Sequence, residues 1–391
     1  MENKRENSAL RSYGQKVLSR FKEFRVSSTM DKIKASVISA LGGILVGLII
    51  MMLINFQGVI DFIITLASGK FKFDPNTYII GSIVQSAPIL IAGLSVAFAF
   101  RTGLFNIGAS GQILVGGITA IYIGHLISLP GPLHFLVALI GAIIAGSIWG
   151  GITGTLKAYF NINEVVTSIM LNYVAAHLVK FLSRQKLVFD LFRSQTKMLP
   201  KSATIPTLGL DRLFPHSGFD ISIFIAILTA ILVFIILEKT TLGYQLKAVG
   251  YNPLGAKTNG IKYRRNIILS MLIAGALSGL AGGIIYLSGA NATQIRVQIN
   301  IPGEGFDGIS VALLATNSPI GVIFSAIFIN FITQFGSLVE GASTFKKEIS
   351  DVIIAVIIYF SALSSITLYY LNVRKRKRLK HNSELNKEGD E

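Results

Sequence analysis

Phe105 to Gln112 reads FNIGASGQ, placing two amides, a hydroxyl and two glycines inside the longest uncharged run of the chain. Between Arg101 and Lys157 there is no Asp, Glu, Lys or Arg, so this stretch belongs in a bilayer. Hydrocarbon offers no hydrogen-bond partners, and a polar group left unsatisfied there costs several kcal/mol, roughly. Asn106, Ser110 and Gln112 must therefore face other protein or a wet pathway, and a wet pathway through a membrane points toward transport.

Working outward, the 391 residues are 51% hydrophobic and 14% charged, with 38 glycines and a mean hydropathy of +0.61. That balance is far more apolar than a soluble domain's and marks a polytopic membrane protein. Apolar runs of about 20 residues are long enough to span. They fall near 36–56, 78–100, 108–128, 133–156, 163–183, 219–237, 266–288, 318–338 and 351–371. The first run exceeds a signal-peptide core and lacks a small-residue cleavage site, so it reads as an uncleaved span.

The charge is +16, and its placement says more than its size. Nine Lys or Arg precede residue 36, and seven follow residue 373, including RKRKR at Arg374 to Arg378. Basic residues beside spans mark the inner face, so segments 1–35 and 372–391 read as cytoplasmic and attractive to anionic lipid headgroups. No aromatic-interleaved basic fold accompanies the charge, which argues against nucleic acid. Two cytoplasmic ends require an even number of crossings. The segment Gly305 to Ala315, GFDGISVALLA, is too short for an ordinary span but can cross as a short or broken helix buried among others. The expected architecture is all-α with about ten crossings over 36–371. Six basic residues in the 184–218 loop, placed outside by this count, fit the charge rule least well.

Two glycine series recur at every fourth position: Gly146, Gly150, Gly154 and Gly275, Gly279, Gly283. On helices each series lies on one face, where backbones can approach closely. IAGLS at Ile91 to Ser95 is echoed by IAGALSG at Ile273 to Gly279, and a polar Gly-rich element follows each. A pseudo-repeat of two halves is the corresponding expectation.

From Thr240 to Arg265 the chain leaves the bilayer with TTLGYQLKAVGYNPLGAKTNGIKYRR. Asn252 suits an N-cap, Pro253 the first helical position and Gly260 a helix end, which predicts a short helix around 253–259. Such a helix can dock another protein, or the loop can simply be solvated and basic.

Some classes of chemistry are missing from the sequence. There is no cysteine, hence no disulfide and no thiolate site. His125, His134, His177, His216 and His381 show no ligand spacing, so no metal is expected. The phosphate-binding GxxxxGK[ST] loop does not occur, so energy must come from a partner chain or an ion gradient. No nucleophile, base or metal grouping suggests an enzyme.

FNIGASGQ, the NEVVTSIMLNY of Asn163 to Tyr173, the LKAVGYNPLGAKTNGI of Leu246 to Ile261, and GFDGISVALL followed by Pro319 and Gly321 resemble, in order and spacing, the permease subunits of bacterial ABC importers. Within them they look most like the nucleoside branch of the branched-chain amino acid and simple-sugar permeases. The resemblance covers about 85–340. It implies a permease of the bacterial plasma membrane that uses no cofactor itself, pairs with a second permease, binds an ABC ATPase and receives solute from an extracellular substrate-binding lipoprotein. It implies ATPase coupling through Gly250, Asn252, Pro253, Ala256 and Gly260. In one respect the chain departs from the pattern, having Ser110 where the family usually carries Glu.

The residues themselves leave the pathway open. Asn106 and Gln112 lie about 1.7 turns apart on an uninterrupted helix and would face nearly opposite ways, unless Gly108 and Gly111 break it. They can then either meet a nucleobase edge or ribose hydroxyls, or tie helices together. Asp307, the acid well inside the short crossing, either lines the pathway or caps a broken helix. Glu164 fits a first-turn carboxylate, and Asn172 lies deeper on nearly the same face. A simple-sugar permease and an ion-coupled secondary transporter remain the alternatives.

Overall fold

The computed structural model describes residues 29–67, 75–130, 132–214, 217–288, 294–296, 301–346, 348–362 and 373. The expected basic segments 1–35 and 372–391 lie almost wholly outside the described residues. The elements are α1 (Thr29–Ile54), α2 (Phe56–Ala67), α3 (Pro75–Gln85), α4 (Ala87–Arg101), α5 (Ala109–Leu126), α6 (Pro132–Phe160) and α7 (Glu164–Ser183). A two-stranded hairpin, β1 (Phe189–Asp190) with β2 (Gln195–Thr196), follows. Then come α8 (Leu210–Leu213), α9 (Ser222–Lys239), α10 (Thr241–Tyr251), α11 (Pro253–Thr258), α12 (Tyr263–Leu287), α13 (Glu304–Leu314), α14 (Pro319–Ala342) and α15 (Ile349–Ala362). The chain divides into two compact units, 47–355 and 1–46 with 356–391. All the candidate site residues fall in the first.

Among the described residues seven helices are long and apolar enough to cross a membrane: Thr77–Arg101, Ala109–Leu126, Pro132–Phe160, Glu164–Ser183, Ser222–Lys239, Tyr263–Leu287 and Pro319–Gly341. They match the second to eighth apolar runs of the sequence. The first run is the beginning of a pair, Leu41–Ile54 and Phe56–Thr65, bent by 114°, which counts as an eighth span if taken as one. The bend falls at Asn55, whose Oδ1 accepts the Gly58 amide at 2.9 Å and so starts a new helix. Among the described residues the expected count of ten is therefore not reached by length. The 11 residues of α13 reach only about 16 Å at ~1.5 Å per residue, against a hydrocarbon core of about 30 Å. The described part of α15 ends at Ala362, so 363–371 of the ninth run lies outside the described residues.

The glycine series meet each other. A Cβ on Gly146 would lie 2.5 Å from the Gly275 carbonyl oxygen and 2.5 Å from Gly279 Cα, and one on Gly150 would lie 2.5 Å from the Met271 carbonyl oxygen. Side-chain-free faces thus let α6 and α12 touch backbone to backbone, which maximises dispersion contact where lipid gives no hydrophobic drive. Ser95 and Ser278, at corresponding places in the two IAG echoes, also meet: Ser278 Oγ donates to Ser95 Oγ at 2.8 Å, and Ser95 Oγ donates to the Ala274 carbonyl at 2.6 Å.

Helix starts follow the local chemistry. Asn163 Oδ1 accepts the Val165 amide at 2.8 Å ahead of α7, and Glu164 in its first turn pairs with Lys157 at 3.0 Å. Ser318 caps α14, whose first residue is Pro319. In the 184–218 loop the hairpin is small, and the loop is pinned from a distance: the Thr196 amide donates to the Ile295 carbonyl at 2.9 Å and the Ile205 amide to the Leu287 carbonyl at 2.8 Å.

Candidate functional site

FNIGASGQ is not one continuous helix. The chain turns through Thr102 to Gly108, and α5 begins at Ala109 with Gly108 as N-cap. This break brings together two amides that an unbroken helix would separate. Asn106 Nδ2 donates to Gln112 Oε1 at 2.8 Å, and Gln112 Nε2 donates back to Asn106 Oδ1 at 3.1 Å. The second hydrogen of Asn106 Nδ2 reaches Ser95 Oγ at 3.0 Å. Asn106 is 0% exposed and Gln112 1%, so this is a sealed amide pair joined through Ser95 to Ser278 on α12.

Two further candidates surround the same turn. Asn172 Oδ1 accepts the Gly111 amide at 2.9 Å, while its Nδ2 donates to the Ile107 carbonyl at 3.0 Å. Asn172 thereby satisfies backbone groups left over where the helix starts late. Ser110, fully buried, donates to the Pro302 carbonyl at 2.9 Å. Gly305 packs on Ser110, since a Cβ there would lie 2.7 Å from Ser110 Cα. Ser110 is thus a small residue where Gly305 of α13 packs against it.

Asp307 sits in the first turns of α13 and is neither buried nor fully exposed. Among the described residues its carboxylate makes no hydrogen bond or ion pair, so the capping alternative is not realised. The helix starts from Gly303 without a side-chain cap. Among the described residues Asp307 makes no hydrogen bond to Asn106, Ser110, Gln112 or Asn172. Sequence reasoning missed several neighbours: Ser95 and Ser278, which the echo could have flagged, Pro302, and Ser168. The buried Ser168 Oγ has no partner among the described residues, and its Cβ lies 3.3 Å from where a Gly108 Cβ would be.

The second grouping lies between α9 and α12, beside the Thr102–Gly103 end of α4. Thr240 ends α9 and caps α10, accepting the Gly243 amide at 3.1 Å. Asn252 then accepts the Gly255 amide at 2.9 Å as the N-cap of α11, with Pro253 first in the helix and Gly260 at φ +77 beyond its end. Ala256 is the buried member of α11, whereas Tyr251 and Leu254 are 90% and 77% exposed. Both exposed side chains lie beside the capped turn. Sequence reasoning found α11 but not α10. Glu238 holds Arg101 on one side and, at 2.9 Å, Lys247 on the other. Among the described residues no group of His, Asp and Glu could hold a metal ion.

A helical body of apolar spans, tied internally by buried amides and offering a capped helix pair at one end, defines a multi-pass membrane permease. The chain belongs to the family described as branched-chain amino acid transport system / permease component, whose model matches residues 78–362. It is a transport subunit and not an enzyme. It is 37% identical over 301 residues, 77% of this chain and 85% of the relative, to the guanosine ABC transporter permease protein NupP of Bacillus subtilis. It is 34% identical over 377 residues, 92% of this chain and 98% of the relative, to the nucleoside ABC transporter permease protein NupB of Lactococcus lactis. The glucose ABC transporter permease protein TsgB13 of Haloferax volcanii is 29% identical over 294 residues, 74% of this chain and 77% of the relative. No solved structure matches the chain.

Proposed function

We propose that this permease forms the translocation pathway for nucleosides in an ATP-driven importer of the bacterial plasma membrane. The observation that carries this reading is the 34% identity to a nucleoside permease over 98% of that protein's length. The likeness to a guanosine permease supports it from a second source. The relative named for glucose is less similar, which leaves simple sugars as the second reading.

In this reading an ATPase docks on α10 and α11 around Tyr251 and Leu254, with Gly250, Asn252, Pro253, Ala256 and Gly260 shaping the docking turn. ATP is used on that partner, and this chain needs no cofactor of its own. A second, homologous permease completes the pathway. Support comes from Bacillus subtilis and Lactococcus lactis, each of which has two permeases of the same named substrate among the relatives of this chain. An extracellular binding lipoprotein delivers the solute. Ten crossings follow if the bent pair, α13 and the 351–371 run each traverse the bilayer along with the seven long helices, and both termini are then cytoplasmic. Asn106, Ser110, Gln112 and Asn172 shape the pathway wall by fixing the late start of α5, and Asp307 faces the solute.

Reconstitution of the full complex in vesicles tests the reading. Guanosine uptake should require ATP and be competed by other nucleosides but not by glucose. Uptake that survives ATP depletion and collapses with the ion gradient would transfer the protein to the secondary transporters, and competition by glucose alone would favour the sugar reading.

A further inference from the structure

The turn that precedes the amide pair touches the docking helices through bare backbone. A Cβ on Gly250, in the last turn of α10, would lie 2.5 Å from the Thr102 carbonyl carbon and 2.7 Å from the Gly103 nitrogen. From the other side, a Cβ on Gly103 would lie 2.8 Å from the Gly250 carbonyl oxygen, and Gly103 adopts φ +76, a conformation that L side chains rarely take. Neither position tolerates a side chain without displacing main chain, so there is no flexible group here to absorb a movement.

Both ends of this contact are stiff. Above it, Thr102 Oγ1 donates to the Ala99 carbonyl at 2.9 Å and meets Ser270 Oγ of α12, and the Leu104 amide returns to the Ala99 carbonyl at 2.9 Å. Leu104 is packed in a buried cluster with Ala99, Met271 and Ala274. Below it, the Asn252 amide donates to the Ala248 carbonyl at 3.0 Å and the Ala256 amide to the Asn252 carbonyl at 2.9 Å, which welds α10 to α11. Glu238, between Arg101 and Lys247, braces the same junction from its half-exposed rim. Four residues beyond Gly103 lies Ile107, whose carbonyl accepts from Asn172 Nδ2, and the exposed Tyr251 and Leu254 follow Gly250 within four residues.

We propose that the backbone contact of Thr102 and Gly103 with Gly250 is the joint by which displacement of the α10–α11 pair reaches the Asn106–Gln112 turn, making Gly103 and Gly250 positioning residues for transport. Close-packed groups transmit displacement because they have no void to close first. A chain of contacts earns the name of pathway only when coupling across it is measured. The inference rests on the proposed ATP-driven function, so its test has one arm that needs that function and one that does not.

In the purified chain, Gly103→Ala and Gly250→Ala should each lower the melting temperature, and the double variant should fall by clearly less than the sum, because either methyl opens the same gap. Strain at Gly103 is common to both backgrounds and cancels in the cycle. Additive shifts would overturn the joint. In the assembled complex, the absence of cysteine from this chain allows Ile107→Cys to report on the turn through the rate of thiol labelling read on this subunit. The parent should show a several-fold change in that rate on adding ATP. Gly103→Ala, outside the docking helices, should abolish the change while the complex still assembles and hydrolyses ATP, whereas Leu228→Ala on the exposed face of α9 should keep it. An unaltered nucleotide response in Gly103→Ala would overturn the proposal. A parent complex without ATP hydrolysis would instead sink the importer reading, and the melting cycle would still judge the contact.

Discussion

The Phe105–Gln112 and Gly305–Ser310 elements are both short, glycine-bearing and polar, yet they use their polar groups in opposite ways. In the first, Asn106 and Gln112 bond each other, Asn172 bonds the backbone on either side of the break, and Ser110 bonds Pro302. In the second, Asp307 makes no hydrogen bond or ion pair among the described residues and is not fully buried. An interior amide that offers both a donor and an acceptor finds partners in a packed membrane protein. A carboxylate at depth does so only if a donor has been placed for it, and otherwise marks a functional position. The lesson is that amides inside a bilayer can serve to tie packed helices together, while an acid for which no donor has been placed keeps its spare capacity.

The contrast can be broken by substitution, ranked here by effect on stability. Asn106→Leu strands the Gln112 amide in a sealed interior and should lower unfolding stability by about 1–3 kcal/mol, the penalty of an unsatisfied buried group. Thermal unfolding in detergent would register it, and adding Gln112→Leu should recover part of the loss. A variant that kept full stability but lost uptake would make Asn106 a solute contact and erase the contrast.

Asn172→Ala removes two bonds to backbone groups around the start of α5, at about 1 kcal/mol each. The turn should also loosen, seen as faster hydrogen exchange at the Gly111 amide. Unchanged protection there would show that α5 starts late without help from α7. Smallest of all is Asp307→Asn, which keeps the shape and should leave stability within about 0.5 kcal/mol of the parent. Its effect belongs to transport: uptake should show a raised KM for nucleoside. Normal uptake kinetics would place Asp307 outside the pathway and leave the second element as packing alone.

Much of this molecule was legible residue by residue. Among the described residues the second to eighth apolar runs became spans long enough to cross. The Asn252, Pro253 and Gly260 signals ended where capping chemistry puts them, because a cap depends on residues within one turn. The fourfold glycine spacing announced close helix approach but not its partner. It is the mutual match of Gly146 and Gly150 with Gly275 and Gly279 that unites α6 with α12. Helix α10 escaped notice because Thr240 to Tyr251 is neither apolar enough to read as a span nor strongly periodic. The amide pair was half legible: on an unbroken helix the spacing puts Asn106 and Gln112 on opposite faces, Gly108 offers a break, and only the structure shows the two amides bonding each other.

What the sequence by itself determined is the membrane setting, the helical class and the local starts and stops, all of which depend on composition or on neighbours a turn away. Tertiary structure alone decided that Asn106 faces Gln112, that Ser95 meets Ser278 across 183 positions, and that Gly103 rests on Gly250. Those meetings depend on how apolar rods pack once their side chains are in place. In a bilayer that packing is selected by close backbone fit and by partners for each polar group, neither of which is a property of any one segment.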